Sequence, residues 1–293
     1  MAVKTENIVS IYKRFPTEDS CLAHIEQVRW KGRPTCPYCT SDRVTREKTG
    51  WRLHCNACNT AFSVTVNTIF HHTHMDLQKW FLAIALMLNA KKGLSARQLA
   101  RDIDVNKNTG WYVNMRIRRA MAEGAGRDLL TGICEMDETY VGGKPRKGGP
   151  PQTRGRGTKK QPVIGIMERG GQVRAVVAKR EKGLTAKKME SLVRQNIAVA
   201  SATVYTDQFT AYLGLSRFVK HGAVDHAVCY ADGDIHTNSI ESFWALLKRG
   251  IVGQYHKVSV RHLPQYLNEF CYRFNNRKNA NVFDVTLCRA LGV

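Results

Sequence analysis

No apolar run in these 293 residues is long enough to span a bilayer, and the first residues lack the basic-then-apolar layout of a secretory leader. Together these absences predict a soluble cytoplasmic protein with no membrane partner. Acidic residues are scarce, 24 Asp and Glu against 45 Lys and Arg, which leaves a net charge of +21. Such an imbalance favours a polyanionic partner, and nucleic acid leads the candidates. The cysteines total nine, an odd count that argues against a secreted disulfide framework. Four of them bind metal on the reading below; Cys21, Cys134, Cys229, Cys271 and Cys288 are scattered reduced thiols.

What is present begins with Cys36-Pro-Tyr-Cys39 and Cys55-Asn-Ala-Cys58, separated by fifteen residues. Each pair offers two thiolates from one tight turn, and two such pairs make a tetrahedral zinc site. Flanking runs at 51–54 and 61–66 read as hairpin strands, so the unit is a zinc ribbon whose metal replaces a core too small to form. A helix is predicted before it, N-capped by Thr17 with Cys21, Leu22, Ile25 and Val28 on its apolar side. His71, His72 and His74 lie in a linker without zinc-site spacing. Three helices follow, over about 77–90, 95–103 and 107–123, the last carrying Arg116, Arg118 and Arg119. Helix, short turn and basic helix form a helix-turn-helix-like order that suits the major groove.

Beyond Gly124-Ala-Gly126, a linker, Asp137 sits in one β-forming run and Asp207 ends another. Glu241 lies on a helix whose apolar residues at 240, 243, 244, 247 and 251 mark one face, leaving Asn238, Glu241, Ala245 and Lys248 on an adjacent polar stripe. Carboxylates converging from separate elements suit a pair of Mg2+ or Mn2+ ions in phosphoryl transfer. Residues 142–161 hold seven Lys or Arg, six Gly and no acid, a composition fitted to a phosphate backbone. Strands at 162–168 and 172–179, a helix at 185–197 and the Asp207 strand give the order β-β-β-α-β of a ribonuclease-H-like α/β domain. A helix from about 263 to 276 closes it, with Arg273, Asn275, Asn276 and Arg277 near its end. The chain thus divides into 1–72 (helix and ribbon), 73–126 (helix-turn-helix-like) and 127–293 (ribonuclease-H-like).

Asp137, Asp207 and Glu241, with 33 residues between the last two and Lys248 seven after the third, resemble the DDE-K signature of cut-and-join transposases. The ribbon, Met136-Asp-Glu-Thr-Tyr-Val-Gly-Gly143 and His236-Thr-Asn-Ser-Ile-Glu-Ser-Phe-Trp244 further resemble the ISXO-like insertion-sequence transposases, a likeness running from about residue 16 to 280. The resemblance implies a bacterial enzyme that binds the terminal inverted repeats of its element, hydrolyses a strand at each end and joins the 3′-hydroxyl to target DNA. It implies Asp137, Asp207 and Glu241 as ligands of the catalytic metal, Lys248 as a DNA contact, and at least a dimer on DNA. Relatives can carry Asn or His in place of the third carboxylate, which keeps Asn238 in view beside Glu241; Asp232 and Asp234 are weaker alternatives and Glu135 an auxiliary acid. A DNA-binding repressor or inactive remnant, built from ribbon and helices alone, is the competing reading.

Overall fold

A computed structural model describes residues 6–48, 50–122, 128–142, 160–178, 183–224 and 234–293. The 124–126 linker, most of the basic 142–161 loop, Cys229 and Asp232 lie outside the described residues. The chain forms two compact units, one of residues 1–121 with 278–293, the other of 122–277.

In the first unit, helices α1 (Ile8–Arg14) and α2 (Glu18–Trp30) precede three antiparallel strands, β1 (Val44–Arg46), β2 (Arg52–Cys55) and β3 (Thr60–Ser63). Thr17 caps α2 through its side chain, and Cys21 and Ile25 are buried, as the apolar spacing predicts. Helices α3 (Leu77–Asn89), α4 (Ala96–Asp102) and α5 (Lys107–Ala120) follow. Ser95 and Asn106 supply the side-chain caps of α4 and α5. The two helices approach so closely that a Cβ on Gly110 would stand 2.6 Å from the Ala96 carbonyl oxygen. No larger residue fits that crossing.

The last helix of this unit, α9 (Val282–Leu291), comes from the far end of the chain. It buries Phe283 among Phe15 and Phe81, with ring centroids 6.2 and 5.8 Å away. Asp284 accepts a 2.8 Å bond from Arg14, and His24 and Arg14 together hold its carboxyl down at about 2. The sequence division assigned 127–293 to one domain; in the structure Lys278–Val293 packs with the first unit instead.

The second unit is a five-stranded sheet in the order β6-β5-β4-β7-β8, made of β4 (Ile133–Val141), β5 (Gln161–Glu168), β6 (Val173–Val177), β7 (Thr203–Asp207) and β8 (Lys220–Val224). The first three strands are antiparallel neighbours, while β4, β7 and β8 run parallel. That arrangement is ribonuclease-H-like, and it extends the predicted β-β-β-α-β order by one edge strand. On one face α6 (Ala186–Asn196) and the 3-10 helix Thr210–Arg217 cover Cys134, Met136, Ile164, Ile166 and Val204. On the other, α7 (Asn238–Gly250) and α8 (Leu263–Asn275) cover Val163, Met167 and Val173. The alternation along β4 and β5 is the reason: successive residues face opposite layers, and both layers are apolar.

Among the described residues no helix is long and apolar enough to cross a membrane, and no cysteines are disulfide-bonded.

Candidate active site

Parallel pairing of β4 with β7 runs from Ile133↔Thr203 to Glu135↔Tyr205. Past that register the two strands part, at the carboxyl end of β7 and where the sheet changes from antiparallel to parallel neighbours. Open α/β sheets place their sites in crevices outside the carboxyl ends of their strands. Asp137 and Glu138 on β4 and Asp207 at the end of β7 line the opening, and each offers an oxygen within 4.8 Å of the other two.

Asp137 is crowded. Burial, then the charges of Glu138, Asp207 and Glu241, raise its carboxyl from 3.8 to about 7, against the backbone amide of Glu138 that lowers it. The indole Nε1 of Trp244 donates to Asp137 Oδ2 at 3.0 Å. Trp244 reaches it across Gly165, the residue paired with Asp137 on β5. A Cβ at Gly165 would lie 2.5 Å from the Trp244 ring and 2.7 Å from Ile240, so glycine is what lets α7 lie over the strand here. Glu138 is held from the opposite layer by the Tyr212 hydroxyl, 2.9 Å away, whose own pKa burial and the Glu138 charge raise well above 10. The sequence puts Trp244 on the apolar face of its helix and Glu138 beside Asp137 in the Met136–Gly143 motif, without a site role for either, and Gly165 carries no signal.

The predicted face of α7 is reproduced: Ile240, Phe243, Trp244 and Leu247 are buried, as is Ile251 just beyond, and Asn238, Glu241, Ala245 and Lys248 are exposed. Glu241 is outside the three-acid group, its Oε1 accepting from Thr237 Oγ1 at 2.9 Å, but its charge is felt at Asp137. Asp234 is exposed and outside the group as well. Glu135, expected as an auxiliary acid, shares the face of Asp137 but is fully buried and committed to α7: it accepts from the Ser239 and Ile240 amides and from Arg169.

All-oxygen donors at this separation fit magnesium or manganese. The ribbon offers a different set. Cys36, Cys39, Cys55 and Cys58 have their sulfurs within 4.8 Å of one another. The Cys36–Cys58 and Cys39–Cys55 separations are 3.7 and 3.6 Å. A zinc tetrahedron with bonds near 2.3 Å has edges of about 3.8 Å, so the four thiols fit that ion. Amides of Cys58 and Ala57 lower the Cys55 thiol while, against the Ser41 amide, burial and the neighbouring sulfurs raise that of Cys39, so the crowded thiols titrate together.

Several of the basic and amide side chains among the described residues have partners within the protein. Arg118 is buried, and Arg116 donates to the Ile69 and His71 carbonyls, so of the three α5 arginines only Arg119 is exposed. Lys107, Asn108, Trp111 and Tyr112 make up the exposed N-terminal part of that helix. Arg46 pairs with Glu26 and Arg52 with Glu47. Arg273 pairs with buried Glu269, Asn275 clasps the Val173 backbone, and Asn276 donates to Tyr272, so these α8 residues hold the unit together.

Comparison with known proteins bears on both units. A family model described as the ISXO2-like transposase domain matches residues 129–275, and one described as a transposase zinc-ribbon domain matches 16–61. A protein of Halobacterium salinarum, described as an uncharacterized protein in transposable element ISH50, is 33% identical over 282 residues, covering 89% of this chain and 92% of its own. Among solved structures, the Mos1 strand transfer complex aligns at 14% identity with a TM-score of 0.32, over 72% of this chain and 75% of that one. A pre-cleavage Mos1 transpososome aligns at 12% with a TM-score of 0.29, over 97% and 96%.

Proposed function

Because this chain belongs to the ISXO2-like transposase family, and is a DNA transposase, we propose that Asp137, Asp207 and Glu241 hold the divalent ions of its strand cleavage and strand transfer. The observation that carries the reading is the opening between β4 and β7, where Asp137 and Asp207 converge and Asp137 is raised to about 7 by burial and its acidic neighbours. Bound there, magnesium or manganese supplies positive charge that favours both the attacking and the leaving oxygen of a phosphodiester.

The protein's own groups divide the remaining work. Asp137 has to lose its proton to become a ligand, and the Trp244 indole fixes the orientation of the carboxylate as it does so. Glu138, anchored by Tyr212, flanks Asp137 and Asp207 as a further carboxylate. Lys248, two turns along the exposed stripe from Glu241, meets a DNA phosphate near the cleaved bond. The zinc ribbon and α3–α5 bind the terminal inverted repeats, with the exposed start of α5 toward the bases. Two ends must be brought together, so the DNA complex contains at least two copies, acting in the cytoplasm.

The test is a cleavage and joining assay on labelled DNA carrying the element's terminal repeats, with magnesium or calcium, using the parent chain and Asp137→Ala, Asp207→Ala and Glu241→Gln. Magnesium-dependent cutting at the repeat ends, absent from each variant while end-binding persists, is the expected outcome. Cutting retained in one variant removes that residue from the site. End-binding with no cutting by the parent chain would instead indicate a DNA-binding remnant.

A further inference from the structure

At the start of helix α7 the Thr237 hydroxyl donates to Glu241 instead of capping an amide, and His236 Nδ1 accepts from the Asn238 amide at 3.4 Å, which leaves the next amides of the turn to another acceptor. The exposed amides of a first turn need acceptors, and a carboxylate is the strongest available. Here it comes from β4. Glu135, 0% exposed, accepts from the Ser239 amide at 2.8 Å, the Ile240 amide at 3.0 Å and the Ser239 hydroxyl at 3.0 Å. Arg169, at the end of β5, balances the buried charge with a 2.7 Å bond. The same guanidinium grips the approach to α7, donating to the carbonyls of Asp234 and His236 at 2.8 and 3.0 Å. His236 Nδ1 lies 3.4 Å from Glu135 and 2.9 Å from Arg169.

Glu135 therefore grips the helix one residue before Glu241, and it sits two residues before Asp137 on the same face of the same strand. We infer that Glu135, with Arg169, is a positioning residue of the active site: it docks the first turn of α7 on β4 and so sets where Glu241 stands relative to Asp137. This rests on the proposal that Glu241 is a metal ligand. One strand then governs two of the three acids, Asp137 directly and Glu241 through its helix.

The experiment measures Mn2+ affinity by electron paramagnetic resonance on the full, zinc-loaded chain, in the parent, Glu135→Gln, Glu241→Gln and the double variant. Removing an outer partner of a metal ligand lowers affinity by roughly tenfold to a hundredfold. That loss is expected for Glu135→Gln alone and should disappear on the Glu241→Gln background, since coupled residues are non-additive. Amide exchange at Ser239 and Ile240 in the metal-free protein should rise in Glu135→Gln. An equal loss on both backgrounds, or none on either, overturns the inference. If Glu241→Gln itself leaves Mn2+ affinity unchanged, the assignment of Glu241 as a ligand fails first and the inference goes with it. Should Glu135→Gln not fold, Arg169→Lys keeps the charge and loses the fork, and the same double comparison applies.

Discussion

Replacing Asp137 by Asn should make the metal-free protein more stable at neutral pH while abolishing strand cleavage. The folded chain binds the Asp137 proton more tightly than the unfolded chain, its carboxyl standing at about 7 instead of 3.8. Below the lower value both states are protonated and nothing is gained or lost. Between the two, the folded state keeps a proton that the unfolded state has released, so stability falls as pH rises, and above about 7 the whole penalty is present. A tenfold change in proton affinity corresponds to about 1.4 kcal/mol, so the full displacement amounts to ~4 kcal/mol. Asn keeps the shape and can still accept from Trp244, but has no charge to bury. Native-state amide exchange of β4 and β5, in magnesium-free buffer with zinc retained, should show the variant gaining ~2–4 kcal/mol on the parent between pH 4.5 and 8. Added magnesium should then recover stability for the parent alone, by mass action on the folded state. If parent and variant run parallel across that range, the acids are not crowded in the way described, and the electrostatic reasoning is refuted.

Gly165→Ala should cost about 1–3 kcal/mol in thermal stability through overpacking against Trp244, and should lower cleavage more than end-binding, because the indole that orients Asp137 is pushed aside. Zinc chelation should unfold β1–β3 and abolish end-binding while leaving exchange protection in β4–β8 intact; structural zinc is worth about 10–16 kcal/mol to a small module, so partial loss is not expected. Arg119→Ala should reduce the salt dependence of DNA binding by about one phosphate contact, whereas Arg118→Ala should leave that slope alone and lower the melting temperature of the first unit. Equal slopes for all three proteins would remove α5 from the DNA interface.

The features legible in the sequence were those written in spacing. Two CxxC pairs imply one tetrahedron whatever surrounds them, and the apolar residues of α7 at 240, 243, 244, 247 and 251 fixed which side of that helix carries Glu241 and Lys248. Side-chain partnership was not legible. An arginine in a basic helix has the same letter whether it faces phosphate or, as Arg116 does, two backbone carbonyls. Glu135 and Glu138 flank the same aspartate, yet one caps a helix 104 residues further on and the other faces a tyrosine on the opposite layer. Those roles depend on which elements the sheet brings alongside, and no local pattern encodes that. The 3-10 helix and β8 escaped for a related reason: short, glycine-containing segments carry too little periodicity to announce themselves.

The placement of α9 has a consequence for biosynthesis. A ribosome releases the ribbon and α3–α5 early, but the apolar side of those helices lacks Phe283, Leu287 and Leu291 until the second unit has been synthesised. Domains ordinarily mature from the amino terminus onward during translation. Here the order is inverted: the sheet of the second unit is complete in sequence before the first unit can be. Nascent chains stalled ahead of Lys278 should carry a protease-resistant sheet and a protease-sensitive amino-terminal region, so that the first unit matures after the second.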